Sequence, residues 1–569
     1  MTTSSLFSQL DMGKRSMMAQ QAGMNVAGHN IANINNEDFS RQRVELTTEH
    51  PLKSRFGNGV SLDRVKRVTD NFLTERLVKE QTRDGELDIR EQGLRRLEQL
   101  FNDMEGEGLR SVLNEYWDAW GNLASSPEAE IARTDLLNAG KAVAERFSGL
   151  SRDLFSLRQE FNGRLSERVE KVNQLAARLA DLNARVQQVE RGEGQANDLR
   201  DEREMILKEM STLVDIHYLE DKDYQINVSV GSGWPLVHGR TANRIEASFN
   251  NQADSDDDMA MFSIRGVDPK GISRDLTQEL KGGELAELIS LRDEVAVGFQ
   301  QKVDQLANEL AFEVNKLHVS GTGLNAHYEV LDSSFALKPD ALNKPLPFIK
   351  DGTFTFSLVG DNNDYLETYE VELVAGQDTL PQIVDRINQT VGDSGLAQAV
   401  LNPDGSMTLR AGGPYDIVLG EDATDFGVVM GFNNFFENLQ GAADFRVSDR
   451  VLTDSNAIST GHGLLPGDNS VALAIHALQF KPTMDADSIT YDEFYNGLLA
   501  ELGLRMERSI GEKQNQQLII DQFQKLRDEV SSVNMDEEVA DMVQYQRGFA
   551  AAAKFIGTVD QMTQTVIDM

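Results

Sequence analysis

The chain contains no cysteine in its 569 residues. Disulfides, thiolate zinc sites and cysteine nucleophiles are excluded together. Positive charge is also scarce: 55 Lys and Arg face 92 Asp and Glu, for a formal net charge of −37. That balance argues against a nucleic-acid partner, because neutralising phosphates needs clustered cations. It argues equally against anionic membrane surfaces and for high solubility. Long apolar runs are missing, with nothing approaching the roughly 18 residues of a membrane span. The opening MTTSSLFSQLDMGKRSMM has neither the basic start nor the apolar stretch of a secretory signal. A route out of the cell is therefore expected to be one that reads no cleaved Sec-type signal. What remains is ordinary for a globular protein, with 40% apolar and 26% charged residues. The length exceeds one core, so several domains are expected.

Both ends read as helices. From Leu6, apolar or small residues recur at Leu10, Gly13, Met17, Met24, Ala27, Ile31 and Ile34, in steps of four and three that Gln20 interrupts. This is a heptad-like seam rather than a broad core-facing stripe. Near the C-terminus Met542, Tyr545, Phe549, Ala552, Ile556, Val559, Thr563 and Val566 follow the same alternation. Asn534 suits the N-cap of that helix, and Asp536, Glu537 and Glu538 complement its dipole. Neither seam has a neighbour in sequence to pack on. The two ends are expected to pair with each other or with copies of the chain; a plain coiled-coil dimer fits the same pattern.

Residues 65–103 and 107–160 read as helical, with Tyr116, Trp117 and Trp120 on one apolar turn. Ser126-Pro127-Glu128 reads as a break and restart, with Pro127 at the first helical position. Residues 161–213 follow, carrying Leu175, Leu179, Leu182 and Val186 in register, and long helices joined by short breaks imply a bundle. Beyond Ile216 the period shifts to two in YQINVSVG and AMFSIRG. A helix is expected from Gly283 to His318, then strands in TFTFSLVG, YEVELVAG and MTLRAGG around one helix, TLPQIVDRINQTV. Asn402-Pro403-Asp404-Gly405 reads as a turn. Helical pattern resumes near Asp468 and breaks near Pro482. The expected fold class is α+β and multidomain. Its blocks are a terminal-helix coiled coil (1–60 with 530–569), a long-helix bundle (61–327 with 451–529, β-rich at 217–275), and an inserted β-rich domain (328–450).

Chemistry-bearing patterns are weak. His29, His50, His217, His238, His318, His327, His462 and His476 are dispersed and lack the spacing of a helical zinc site. The acidic DSDDDM at 254–259 and GDNNDYLE at 360–367 lack the EF-hand spacing, so both read as solvated loops. GHGLLPGDNS at 461–470 reads as a linker. No Gly-x-Ser-x-Gly elbow occurs, and carboxylate pairs in so acidic a chain arise by chance. Trp117 and Trp120 suit a core better than a stacking platform. No catalytic, metal-binding or cofactor-binding residue is expected.

The stretch following the first helix, GHNIANINNEDFSRQ at 28–42, resembles the N-terminal signature of bacterial flagellar axial proteins, Ala-Asn-x-x-Thr-x-Gly-Tyr-x-Arg-Gln. Ala32, Asn33, Phe39, Arg41 and Gln42 fit it, with Phe for Tyr, while Asn36 and Asp38 replace the usual Thr and Gly. VNMDEEVADMVQYQRGFAAAAKFIGTVDQM is similar to the closing motif of rod, hook and hook-associated proteins. NEYWDAWGNLASSPEAEIART, LRDEREMILKEMSTLVDI, ELAELISLRDEV and DQLANELAFEVNKLH resemble one family among them, the first hook–filament junction proteins, or hook-associated protein 1. DTLPQIVDRINQTV with its flanking strands is similar to a small β-α-β module of flagellins and hook-associated proteins. Hook and rod proteins are mainly β outside their terminal helices, so the helical bundle counts against them.

The resemblance implies a structural adaptor, not an enzyme, needing no cofactor. It implies ring self-assembly at the hook tip, with terminal helices lining the flagellar tube. The seam residues at stake are Leu6, Leu10, Met17, Met24, Ile31, Met542, Tyr545, Phe549, Ala552, Ile556, Val559 and Val566. Implied partners are the hook protein, the second junction protein and a cytoplasmic chaperone of the flagellar type III export system, held at the C-terminal helix. The implied location is extracellular, at the hook–filament junction. Rival readings are another axial component such as the hook protein, or an extracellular hydrolase carried on the flagellum. The terminal helices are expected to be largely disordered in the free chain, because two helices without a third partner bury too little to offset ordering entropy.

Overall fold

The computed structural model describes residues 3–48, 57, 59–101, 108–192, 194–249, 261–324, 328–360, 364–438, 441–465 and 467–568. His50, His327 and the acidic run at 254–259 lie outside the described residues, as do residues 361–363 of the other acidic segment. The chain opens with α1 (Thr3–Ala32), the hairpin β1 (Gln42–Thr48) and β2 (Val60–Arg67), then α2 (Asn71–Leu100), α3 (Leu109–Ser125), α4 (Glu130–Arg191) and α5 (Asn197–Leu213). Next come β3 (Ile216–Glu220), β4 (Ile226–Val230), β5 (Trp234–His238), β6 (Thr241–Ala242), β7 (Arg244–Phe249), β8 (Phe262–Val267) and β9 (Ser273–Asp275). A helix α6 (Gly283–Ser290) passes through a π-helical turn (Leu291–Val295) into α7 (Ala296–Val319). The strands β10 (Val330–Asp332), β11 (Gly352–Val359) and β12 (Tyr365–Leu373), the helix α8 (Leu380–Val391), and β13 (Ala397–Leu401), β14 (Met407–Ala411) and β15 (Asp416–Asp422) follow. After short helices (Phe426–Met430 and Asp449–Thr453) and a two-stranded antiparallel ladder (Phe436–Glu437 with Arg446–Val447) come α9 (Ser470–Ala477), α10 (Tyr491–Ser531) and α11 (Met535–Ile567).

The chain divides into two compact units, each built from non-contiguous segments. The first comprises residues 1–93, 159–292 and 506–569. Here α4 acts as a rail for the strands through three asparagines. Asn183 donates to the carbonyls of Ile226 and Gly239 (2.8 and 2.7 Å) and accepts from the Ile226 amide. Asn173 brackets Ile245 in the same way, and Asn162 accepts from the Phe262 amide at 2.7 Å. Spacings near three helical turns keep these amides on one face. Each satisfies backbone groups that a short strand edge would otherwise leave open. The antiparallel sheets β3-β4-β5-β6 and β7-β8-β9 are thereby seated with the helices of this unit.

The second unit comprises residues 94–158 and 293–505. Its aromatic centre gathers Tyr116, Trp117 and Trp120 of α3 with Phe435, Phe436 and Tyr491, all buried. The tryptophan pair is core, as its helical spacing predicts. The sheets β12-β11-β15 and β10-β14-β13 are both antiparallel, and α8 packs on their strands around Phe354, Phe356, Leu380, Ile383 and Leu409. A capping box starts α8: Thr379 accepts from the Gln382 amide and Gln382 reaches back to the Thr379 amide.

Local details depart from the periodicity reading. The helix expected from residue 65 begins at Asn71, because β2 runs to Arg67 and Asp70 accepts from the Phe72 and Leu73 amides. Pro127 sits in a turn ahead of α4, which starts at Glu130, so it is not the first helical residue. The helix expected from Gly283 to His318 is present, but its π turn turns Arg292 inward, where it donates to Asn162 and to the Phe262 carbonyl, both at 2.8 Å. No periodicity count registers one extra residue in a turn.

Candidate functional site: the root of the terminal helices

The segment that breaks α1 is held by many side chains. Asn33 donates to the His29 carbonyl at 3.0 Å and closes the helix end, and Asn36 accepts from the Asp38 amide. Asp38 keeps a negative φ, so no left-handed backbone is demanded where the axial-protein signature has glycine. Phe39 is buried with its ring edge-on to His29, 5.3 Å between centroids. The Ser40 amide donates to Asp201, which also meets Arg67 at 2.6 Å. Burial raises the Asp201 carboxyl, and the Arg67 charge opposes that shift.

Arg41 and Gln42 form the centre. The Arg41 amide donates to the Ser531 carbonyl at 2.8 Å, and its carbonyl accepts from Val68 at 2.8 Å. Its guanidinium meets Glu538 through Nε and Glu537 through Nη1, each at 2.7 Å. Burial works against that charge, but the hydrogen bond to Glu537 and the nearby Glu538 carboxylate outweigh it and raise the Arg41 pKa. Gln42 exchanges two hydrogen bonds with the Asn30 side chain, through its own backbone N–H and C=O, and its side-chain amide donates to Asp198 at 2.8 Å. Asn30 also donates to Glu538 Oε2 at 3.0 Å. Glu538 itself is 2% exposed.

From this root α1 and α11 run antiparallel in close contact. A Cβ at Gly23 would meet the Tyr545 ring at 2.6 Å, one at Gly548 would meet Gln20 at 2.6 Å, and one at Gly13 would meet Ile556 at 2.6 Å. The helices approach closely because these positions have no side chain. Leu6, Ala552 and Val559 are buried, and Leu10, Met17, Met24, Ile31, Met542, Tyr545, Phe549 and Ile556 are half-buried. Val566 is exposed, as is Ala32 of the N-terminal motif. Outward faces carry further apolar groups, including Phe7, Met18, Val539, Val543 and Met562.

Sequence reasoning missed Asn30, Gly23, Gly548 and the role of Glu538. In sequence Glu538 looks like its two acidic neighbours at the helix start, yet it is the one of the three acids buried against cationic and amide donors. Gln20, read as an interruption, lies within the seam against Gly548. The signal available was the row of small residues at 13, 23 and 27 flanking the methionines.

His318 is fully buried, with Nδ1 donating to the Asn433 carbonyl at 2.6 Å and Nε2 accepting from the Ser459 amide at 3.0 Å. Among the described residues, no group of three or more His, Asp or Glu is placed to hold a metal, and no helix is long and apolar enough to cross a membrane.

Comparisons with known proteins agree with this architecture. Residues 94–330 match the family model of the flagellar hook-associated protein FlgK helical domain, and residues 527–569 match the flagellar basal body rod FlgEFG protein C-terminal model. Flagellar hook-associated protein 1 of Bacillus subtilis is 24% identical over 99% of this chain and 98% of its own length. That of Salmonella typhimurium is 22% identical over 97% and 98%, and that of Escherichia coli 22% identical over 97% of each. The flagellar hook junction protein FlgK from Burkholderia pseudomallei shares the fold with a TM-score of 0.52, at 14% identity, covering 81% of this chain and all of that one. The paired ends and the C-terminal match are similar to those of flagellar axial proteins. Along nearly its whole length the chain is similar to hook-associated protein 1 of these species.

Proposed function

We propose that this protein is a structural adaptor at the tip of the flagellar hook, joining the hook to the filament. The observation that carries the reading is similarity to hook-associated protein 1 along nearly the whole chain, including both ends. A flexible hook and a stiff filament have different lattices, and an intermediate that contacts both must bind rather than catalyse. The terminal helices supply the assembly device. Their seam holds the pair together, while outward apolar groups such as Val539 and Val543 are available to neighbouring copies in a ring. The axial block is 1–60 with 530–569, and the β-rich insertion 328–450 is a separate module. The hook protein lies on one side and the second junction protein on the other. Export proceeds unfolded through the flagellar type III channel, with a chaperone holding the C-terminal helix; a chain without cysteine threads without disulfides to obstruct it. The helical-domain match over 94–330 favours this reading over a hook protein.

Deletion of the gene, with negative-stain electron microscopy of the cells and a flagellin assay of the medium, tests the proposal. Bare hooks with monomeric flagellin in the medium are expected. Loss of the hook would move the protein to hook or rod, and normal filaments would refute an axial role.

A further inference from the structure

Any of Asp536, Glu537 and Glu538 complements the α11 dipole, so a dipole role does not explain why one of them is buried. The two oxygens of Glu538 are taken by different parts of the chain: Oε1 by Arg41 Nε at 2.7 Å, Oε2 by Asn30 Nδ2 at 3.0 Å. Arg41 is fixed by its own backbone to Ser531 and Val68. Asn30 spends its remaining hydrogen-bonding capacity on the Gln42 backbone, at 2.9 and 3.0 Å. We propose that Asn30, Arg41 and Glu538 form a joint that couples the two terminal helices, so that neither root orders unless the other is docked. The inference rests on reading the terminal helices as the assembly device and names the positioning residues of that device.

The physical case is one of mutual satisfaction. Undocking α11 leaves the second Asn30 donor and the Arg41 Nε without their acceptor; undocking α1 leaves a buried carboxylate oxygen without its donor. Unpaired buried polar groups are costly, and charged ones most of all. Glu537 is the internal control, since it meets the same guanidinium from a solvent-exposed position. Outside the joint the seam continues through Gly23 against Tyr545 and Gly548 against Gln20, so ordering spreads outward from the root.

The test is hydrogen exchange by mass spectrometry on the full-length free chain, following peptides over residues 24–33 and 536–546. Glu538→Gln and Asn30→Ala are each expected to accelerate exchange about tenfold in both peptides, the effect of one charged hydrogen bond. Glu537→Gln is expected to have a clearly smaller effect on both, because its carboxylate meets Arg41 from solvent. Asn30→Asp, which places two carboxylates together, is expected to be worse than Asn30→Ala and to be partly rescued by Glu538→Gln. Acceleration confined to the helix carrying the substitution would overturn the coupling, as would absence of protection in both root peptides of the unaltered chain. Unchanged exchange in residues 109–125 verifies that each variant is folded. Filament phenotypes decide the adaptor reading separately, so the two failures are distinguishable.

Discussion

His318 offers a direct test of how burial controls stability in the second unit. Its side chain lies beside Trp120 and Phe435, 6.4 and 5.6 Å between ring centroids. Burial pushes the imidazole down from 6.5 to about 4; the bond to Asn433 opposes this and the positive Arg133 adds to it. The unfolded chain takes up a proton near pH 6.5, whereas the folded one resists until about 4. Between those values the unfolded state binds more protons, so stability falls as pH falls. The contribution is fully present above the unfolded value and gone below the folded one. At 1.36 kcal/mol per pH unit the gap amounts to about 3 kcal/mol, a large share of a domain's stability. Protonation would also destroy the Nε2 acceptor that the Ser459 amide uses. Denaturant unfolding of the full chain should be followed by tryptophan fluorescence at pH 7, 5.5 and 4.5, beside His318→Gln, whose amide keeps one donor and one acceptor. The variant should lose less stability with acid than the parent, the difference reaching about 2–3 kcal/mol. Parallel pH profiles for the two proteins would refute the argument. Comparing the two also cancels the opposite effect of Asp304 and Asp422, whose carboxyls burial pushes upward.

Gly23→Ala should loosen the α1–α11 pair, since overpacking costs about 1–3 kcal/mol against a helix-propensity gain near 1 kcal/mol. Swimming motility and filament counts should fall, and adding Tyr545→Leu should restore them; failure of that rescue would sink the steric explanation. Arg133→Ala removes the donors that serve the Pro127, Ser455 and Ile458 carbonyls in a fully buried site. A loss of about 3 kcal/mol is expected in thermal unfolding, and a melting curve like the parent's would contradict it. The distal turns of both terminal helices should give sharp, mobile signals in solution NMR of the free chain, because α11 buries little beyond Glu538, Ala552 and Val559. A spectrum without mobile terminal signals would refute that.

The sequence by itself determined most of the helices and strands and the resemblance of both ends to flagellar axial proteins. Apolar steps of three and four marked α1 and α11, alternation marked β11, β12 and β14, and TLPQIVDRINQTV marked α8 as a helix. These signals are legible because each is set by residues within one or two turns of each other. The motif Ala32, Asn33, Phe39, Arg41 and Gln42 was likewise visible as a pattern. Its physical role was not. Only the tertiary structure brought Asn30 to Glu538, 508 positions apart, and set Gly23 beneath the Tyr545 ring. It alone decided that Arg292 turns inward on a π turn and that three asparagines of α4 hold the strands. Hydrophobic periodicity says which face of a helix turns from water; which partner fills that face depends on side chains far away in the chain. A buried acid among exposed neighbours looks the same in sequence as a solvated one, because burial belongs to the fold and not to the residue.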